Sequence, residues 1–359
     1  MIRFDVPFLA EDRYVAFLAE RAAQLHSLHF RLAGSEVLDA RHPWGEEDEA
    51  RLLAGLRTVA GPRKYALLNS RFLRPECYLD GRFVAAVAAR LARLLDAGQL
   101  DGVVFADYYL LRALADAAPA LCEALEAVPS VNSLLDSVAA IAAWRDYIAA
   151  VGFRPPGKIV LDRHMNRSPV ELAALAAQCR RRYPELQLAL LANEGCLFRC
   201  PCKLPHDAQI ALANTGLAPE RCGAINDALG CRRFLAEYPE QLFRSPFIRP
   251  EDVARFAGRV DVIKLCGRTL GPRFLERVVA AYLEGSFAGN LLALTDAMAW
   301  LAVHLHVAND RLPVDFFARL TGCAGECRQC GYCRRLYEEY CRPTVLQLKD
   351  WRGQGTLTF

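Results

Sequence analysis

The sequence predicts an α/β fold in which a (β/α)₈ TIM-barrel-like domain precedes a C-terminal cysteine-rich helical extension. Eight short β-rich runs alternate with alanine- and leucine-rich stretches of helical spacing, which is typical of a parallel sheet covered by helices. Eight such units in about 265 residues match the usual size of a closed barrel. No GxGxxG follows the first run and no GxxxxGK(S/T) occurs in the chain, which disfavours an open nucleotide-binding sheet.

The elements and the domain boundary follow from this alternation. The predicted strands are Leu25–Leu32, Lys64–Asn69, Gly102–Ala106, Ala127–Asn132, Lys158–Asp162, Gln187–Ala192, Gln241–Phe247 and Val260–Leu265. The predicted helices include Arg82–Leu95, Leu134–Ala149, Pro169–Tyr183, Gly271–Glu284 and Asn290–Asn309. We therefore place the barrel at residues 1–288 and the extension at residues 289–359.

Composition argues for a cytoplasmic protein. The net charge of +3 creates no global field that demands nucleic acid or a membrane as partner. The N-terminus lacks the pattern of a signal peptide, and no apolar stretch approaches the roughly 18 residues that span a bilayer. In a reducing compartment, 14 cysteines indicate metal or redox chemistry rather than disulfides. Cys77, Cys122 and Cys179 are isolated and are expected to be small buried hydrophobic residues.

The first cysteine group lies in the long connection after the predicted strand Gln187–Ala192. Cys196-x₃-Cys200-x-Cys202 places three thiols on one tight loop, where they could bind a soft metal centre. Cys222 and Cys231 could complete a four-thiolate set for a 4Fe–4S cluster. Zinc takes the same ligands and stays open as the alternative metal, as does the absence of any metal.

The second cysteine group is the run Cys323-x₃-Cys327-x₂-Cys330-x₂-Cys333 in the extension. Structural zinc usually takes two cysteine pairs with a longer spacer between them. A continuous run is instead typical of ferredoxin-type ligation, in which one compact loop surrounds a cluster. Cys341 is a spare ligand. The chain could thus hold one 4Fe–4S cluster or two.

Polar residues follow several of the predicted strands, where the mouth of a TIM barrel carries its active site. Their side chains are suited to act as acids, bases or anion-binding groups, and Arg268 could bind a carboxylate through two hydrogen bonds. A purely structural role is the alternative for His164. The candidate catalytic residues are Asp162, His164, Glu194, Lys264 and Arg268.

Two linked motifs resemble the U32 peptidase family. The segment from Asn193 through Cys196 and Cys200 to His206 resembles its N-x-G-C-x₃-C…H signature. The residues from 247 to 268 resemble its "I-R-P-E-D … K-I-x-G-R" stretch, and the similarity covers roughly residues 158–268.

The resemblance implies a TIM-barrel-like domain and several activities. Some members are described as collagenase-like peptidases, and others resemble oxygen-independent hydroxylases of ubiquinone biosynthesis or of RNA bases. At least the ubiquinone-linked members hold a 4Fe–4S cluster through cysteines, and prephenate is implicated there as oxygen donor. Carried over by position, Cys196 and Cys200 match the paired cysteines and Cys231 supplies a further ligand, with Cys222 as the fourth. The family pattern has further cysteines upstream, where this chain has only Cys179, and it lacks the C-terminal run.

Three functions follow as hypotheses. The first is an iron–sulfur-dependent redox enzyme, such as an oxygen-independent hydroxylase, which acts on a small organic molecule or on RNA and exchanges electrons with a redox partner protein. The second is a peptidase, although no HExxH or GxSxG occurs in the chain. The third is a non-enzymatic electron-transfer or accessory subunit. The sequence leaves open the substrate, the roles of Cys202, Cys266 and Cys341, and the oligomeric state.

Overall fold

A computed structural model of the chain describes residues 2–34, 37–41, 48–217, 222–323 and 325–344, without the side chains of Cys222 and Arg328. Eight parallel strands form the central sheet, in the order β5-β4-β3-β2-β1-β8-β7-β6. These strands are β1 Arg3–Pro7, β2 Leu25–Arg31, β3 Arg63–Leu68, β4 Gly102–Phe105, β5 Glu126–Pro129, β6 Lys158–Val160, β7 Gln187–Leu191 and β8 Val262–Lys264.

The sheet curls into a nearly closed barrel. Strands β5 and β6 lie at the two ends of the strand order, and the chain just before β6 joins them. Arg154 forms a parallel bridge with Glu126 there. The Ala127 N–H donates to Arg154 O at 3.2 Å, and the Arg154 N–H donates to Leu125 O at 3.0 Å. The predicted TIM-barrel-like fold is confirmed.

Helices surround the sheet and follow its strands. They are α1 Asp12–Ala19, α2 Glu49–Thr58, α3 Pro75–Leu79, α4 Gly81–Asp96, α5 Tyr108–Ala117, α6 Pro119–Ala124, α7 Val138–Ala150, α8 Pro169–Arg182, α9 Lys203–Asn214, α10 Cys222–Ala228, α11 Cys231–Glu237, α12 Pro272–Glu284, α13 Phe316–Thr321, α14 Cys327–Cys330 and α15 Tyr332–Tyr340. Two short antiparallel strands, β9 Leu305–Val307 and β10 Cys341–Pro343, belong to the extension. No helix among the described residues is long and apolar enough to cross a membrane.

Seven of the eight predicted strands match β2 to β8, and one prediction is wrong. Gln241–Phe247 contains a 3₁₀ helix, Pro239–Arg244, instead of a strand. Its apolar residues reflect burial in a second core, since Leu242 and Phe243 are completely buried there. The true eighth strand is β1, which the prediction missed because Asp5 interrupts its short apolar pattern.

The extension has less helix than the sequence predicts. Asn290–Asn309 was predicted as helical, but it contains the 3₁₀ turns Leu291–Leu294 and Ala299–Val303 followed by β9. These residues pack against the connection between β7 and β8. The second core joins Trp300, Phe316 and Leu336 of the extension to Phe243 and Phe247 of that connection. The predicted boundary between residues 288 and 289 stays a prediction.

Gly102 offers a test of the barrel's packing. It begins β4, and a Cβ there would lie 2.4 Å from the carbonyl oxygen of Glu126 on the neighbouring strand. We expect Gly102→Ala to lower the free energy of unfolding by about 1–3 kcal/mol, because the backbone carbonyl of Glu126 cannot move aside as a flexible side chain can. Urea denaturation measures the change.

Gly81→Ala is the matched control, because a Cβ at Gly81 would meet nothing within 4 Å at the start of α4. Its free energy of unfolding should stay within about 1 kcal/mol of the unmodified protein's. Equal stability of the Gly102 and Gly81 variants would contradict the close pairing of β4 with β5.

Candidate functional site

Charged side chains meet inside the barrel. Asp5 Oδ2 on β1 is 2.7 Å from Lys158 Nζ on β6 and 3.0 Å from Lys264 Nζ on β8. His29 Nδ1 on β2 is 2.8 Å from Asp5 Oδ1 and 3.1 Å from Lys264 Nζ. Lys158 also donates to Ser27 Oγ at 2.7 Å. One carboxylate therefore ties together four strands.

Burial and charge shift the pKa values in this network. Burial raises the pKa of Asp5, but the charges of Lys158 and Lys264 outweigh it and leave that pKa well below the ordinary value. Burial lowers the pKa of Lys158 to about 8, although Asp5 opposes the shift. Burial, together with Lys264, lowers the pKa of His29 to about 4. At neutral pH the carboxyl is therefore ionised and the imidazole is neutral.

A cavity of about 90 Å³ extends from this network to the residues that follow the strands. Glu194, Lys264 and Arg268 line it, so three of the five predicted catalytic residues share one space. Cys266 and Asp296 line it as well. This position at the C-terminal ends of the strands is where TIM-barrel active sites lie.

Glu194 is the centre of the ion pairs at the barrel mouth. Arg163 contacts both of its carboxylate oxygens, with Nη2 3.0 Å from Oε1 and Nε close to Oε2. Arg41 Nη2 is 3.5 Å and Lys203 Nζ 3.7 Å from Oε1. Burial raises the pKa of Glu194, but Arg163, Lys203 and Arg41 together hold it well below the usual range. Glu194 is thus a fixed negative charge.

The asparagine and glycine of the N-x-G-C segment have clear structural roles. The Asn193 side chain donates to Cys266 O and to Leu294 O at 3.0 Å each, and it accepts the Cys266 N–H at 2.8 Å. Gly195 has a φ of 78°, and a Cβ there would lie 3.1 Å from Thr295. The motif therefore joins the end of β7 to the loop after β8 and to the extension.

The other two candidate catalytic residues do not line the cavity. Asp162 caps the 3₁₀ helix Arg163–Arg167 by accepting the His164 N–H at 2.9 Å. Its Oδ1 also lies 3.0 Å from His164 Nδ1. This local contact is consistent with the structural alternative for His164.

Arg268, in contrast, lines the cavity, and its Nη2 lies 2.7 Å from Asp39 Oδ2.

The cysteines of the first group divide between two places. Cys200, Cys202 and Cys231 are neighbours, and burial, with smaller effects of Cys231 and Cys202, raises the pKa of Cys200 to about 11. Cys196 is instead close to Glu194, and it influences the buried thiol of Cys266 at the cavity.

The fourth predicted ligand of this group, Cys222, begins α10, but its side chain lies outside the described residues. The ligand set Cys196, Cys200, Cys222 and Cys231 stays a prediction.

The second group surrounds one space. Cys323, Cys327, Cys330 and Cys333 all line a cavity of about 950 Å³ between the extension and α11. Burial raises the pKa of Cys333 to about 11, with contributions from the other three thiols. Cys341 lies apart in β10, buried in the second core.

In the parts of the chain that the structure describes, no three His, Cys, Asp or Glu side chains are arranged to hold a single metal ion.

Sequence reasoning missed three groups of the inner network: Asp5, His29 and Lys158. Each is a charged or titratable residue within a short apolar run, as in Phe4-Asp5-Val6 and Lys158-Ile159-Val160. An ionisable residue at an inward strand position of a barrel is a signal that could have identified them.

No family model matches the chain, and comparison with curated proteins finds a partial relative. Over 155 residues the chain is 32% identical to an uncharacterized protease of Methanocaldococcus jannaschii. The match covers 43% of this chain and 45% of the relative, so the chain spans about half the length of the curated relative it matches. The relative agrees with the predicted resemblance to the U32 peptidase-like family.

Solved structures are similar at low scores. A U32 peptidase is 15% identical, with a TM-score of 0.45 over 74% of this chain and 93% of that one. An F420-dependent secondary alcohol dehydrogenase is 11% identical, with a TM-score of 0.37 over 82% of this chain and 100% of that one. The barrel is therefore established by its own strand pairing.

Glu194→Gln tests the ion-pair centre. The variant leaves the buried Arg163 guanidinium without a charged partner, so we expect the free energy of unfolding at pH 7 to fall by about 3 kcal/mol or more. The folded-state pKa of Glu194 lies below its unfolded value of about 4.3, so its stabilisation is present above that pH and is lost as the pH falls through the folded-state pKa. The difference between the two proteins should shrink below about pH 4.

Glu49→Gln serves as the control, because Glu49 pairs with Arg93 at the surface. It should cost less than about 1 kcal/mol. Denaturation curves at several pH values measure both variants, and a difference that grows as the pH falls would contradict the assigned ionisation of Glu194.

Proposed function

We propose that the chain is an iron–sulfur-dependent redox enzyme related to the U32 peptidase-like proteins, with its substrate at the barrel mouth. The observation that carries the proposal is the convergence of Cys323, Cys327, Cys330 and Cys333 on one cavity. Four thiols around one space are the donor set of a 4Fe–4S cluster.

The cavity leaves room for a cluster. Four thiolates that bind one zinc ion lie about 2.3 Å from it and so form a tight group. A cluster instead binds each thiolate to a different iron, which requires more widely separated thiols and an open space such as the cavity of about 950 Å³.

Positive charge near the tail cysteines also fits an anionic centre. Arg244 lines the cavity, and its charge partly offsets the burial that raises the pKa of Cys333. Arg167, buried beneath the extension, is influenced by Cys333 and Cys323, and its Nε has no hydrogen-bond partner among the described residues. Cations and hydrogen-bond donors around a cluster stabilise its charge and tune its potential. When bound, such a cluster would supply one-electron transfer.

The barrel residues then have separate roles. Lys264 and Arg268 supply positive charge to a substrate in the cavity, and Glu194, which lines the same cavity, pairs with Arg163 and Arg41. Cys200, Cys202 and Cys231 are neighbours in the connection between β7 and β8 and would contribute ligands to a second cluster. The cavity's size, about 90 Å³, favours a small molecule over RNA as substrate.

A peptidase is the second candidate, because the curated relative carries the name protease. Such an activity requires a nucleophile beside a base or a metal-bound water. Burial raises the pKa of both thiols near the cavity, Cys196 and Cys266, which disfavours their thiolate form. The redox proposal does not need either thiol as a nucleophile.

Metal analysis of anaerobically purified protein tests the proposal. We expect about eight irons with matching sulfide per chain, a visible charge-transfer band and an EPR signal after reduction. Cys327→Ala combined with Cys330→Ala should halve the iron and leave the barrel site loaded. Cys200→Ala combined with Cys231→Ala should also halve the iron and leave the tail site loaded.

Cys77→Ala is the matched control, since Cys77 is a half-buried thiol outside both groups; its iron content should not change. Stoichiometric zinc without iron would overturn the proposal. Hydrolysis of casein by the protein, lost in neither double cysteine variant, would favour the peptidase instead.

A further inference from the structure

The floor of the barrel cavity presents two polar groups that the network does not satisfy. The Lys264 ammonium has three N–H groups; one donates to Asp5 Oδ2, and a second donates to His29 Nδ1 when that nitrogen carries no proton. His29 lines the cavity, and its Nε2 forms no hydrogen bond with any described residue. One N–H of Lys264, and His29 Nε2 when it carries the ring proton, are therefore free to donate into the cavity.

The network also carries excess positive charge. Lys158 and Lys264 contribute +2, Asp5 contributes −1 and the neutral His29 contributes nothing, which leaves +1. All four side chains are buried, and Lys158 is only 1% exposed. Burying a charge without a partner is costly, so an anion in the cavity would stabilise this arrangement.

The rim of the cavity does not cancel that charge. Arg268 and Asp39 form one ion pair. Glu194 is shared by Arg163 and Arg41, and Asp296 lies 3.7 Å from Arg41. Among the described residues that line the cavity, every carboxylate thus already has a cationic partner.

The position of one proton links these features. His29 Nδ1 can either donate to Asp5 or accept from Lys264, because one ring nitrogen cannot do both. When Nδ1 accepts from Lys264, the proton of the neutral ring resides on Nε2. That tautomer gives up the hydrogen bond from Nδ1–H to Asp5 Oδ1. An anion in the cavity offsets this loss, since Nε2–H can then donate to it.

Size limits the ligand. The cavity of about 90 Å³ is smaller than the roughly 150 Å³ cavity that accommodates benzene in another protein. It therefore suits an anion of a few heavy atoms. A planar carboxylate offers two oxygens, one for each donor.

We infer that the barrel cavity is a binding site for a small carboxylate, of the size of acetate or pyruvate, held by Lys264 Nζ and His29 Nε2. The inference deepens the proposed function by naming the ligand class of the same cavity, and it rests on that cavity being the substrate site. Binding is measured without electron transfer, so its failure is distinguishable from failure of the iron–sulfur proposal.

Titration calorimetry with acetate and with pyruvate tests the site in the full-length protein as purified. We expect saturable binding of at least one of the two, weakened about tenfold or more in Lys264→Met and in His29→Phe, because each removes a charged or directed hydrogen bond. Arg112→Gln is the control, since Arg112 is an exposed cation that pairs with Asp116 and does not line the cavity. It should bind as the unmodified protein does.

His29→Phe leaves the buried charges unchanged and supplies no donor, so it keeps the test decisive if Lys264→Met does not fold. Benzoate, which exceeds the cavity, should not bind. Equal affinity in all four proteins, or no binding of acetate or pyruvate, would overturn the inference. Binding of phosphate in place of both carboxylates, with the same dependence on Lys264 and His29, would show an inorganic anion site and would likewise overturn it.

Discussion

The arrangement of the barrel interior depends on the single buried carboxylate of Asp5. It contacts Lys158, Lys264 and His29, and so it joins β1 to β2 on one side of it in the strand order and to β8 and β6 on the other. TIM barrels usually fill this space with layers of branched apolar side chains. Here, part of that packing is replaced by ions, whose desolvation is costly unless they are paired. Because one carboxylate serves two ammonium groups, the pairing is incomplete, and the remaining positive charge faces the cavity. The interior therefore combines a structural role with the capacity to bind an anion.

A second constraint joins the extension to the barrel. Helix α11 begins at Cys231 and leads directly into the 3₁₀ helix Pro239–Arg244, which packs against α15 and lines the cavity of the tail cysteines. The same short segment thus contributes a cysteine to the first group and a cation to the second. Phe243 and Phe316 hold the two parts together within the second core. In the proposed redox function, this continuity would keep two clusters at a fixed separation, which electron transfer between them requires.

The fold was largely predictable because its signals are periodic and local. Seven strands, the flanking helices and the size of the barrel follow from apolar runs and helical spacing. The errors arose where burial had another cause. The run Gln241–Phe247 is apolar because it enters a second core formed with distant residues, and no local pattern distinguishes such a core from a sheet. Strand β1 was missed for the opposite reason, since Asp5 breaks its apolar pattern, and with β1 the centre of the buried network was missed too. The count of eight strands was right only because these two errors offset each other.

The candidate site shows why adjacent polar residues at a strand end have different fates. Asp162 and Arg163 are neighbours, yet Asp162 bonds to the backbone of its own turn while Arg163 reaches Glu194 on the next strand's loop. A short carboxylate side chain can satisfy a free N–H two residues on, and this local bond forms without any tertiary contact. A guanidinium has several donors on a long stem and is satisfied only by more distant acceptors. The chemistry of a polar residue at a strand end therefore indicates whether it caps a turn or enters the site. Short acceptors such as Asp162 tend to fix the turn. Long cations such as Arg163 and buried acids such as Glu194 extend into the barrel mouth. By that criterion Arg163 was a stronger candidate than Asp162, although the two are equally visible in the sequence.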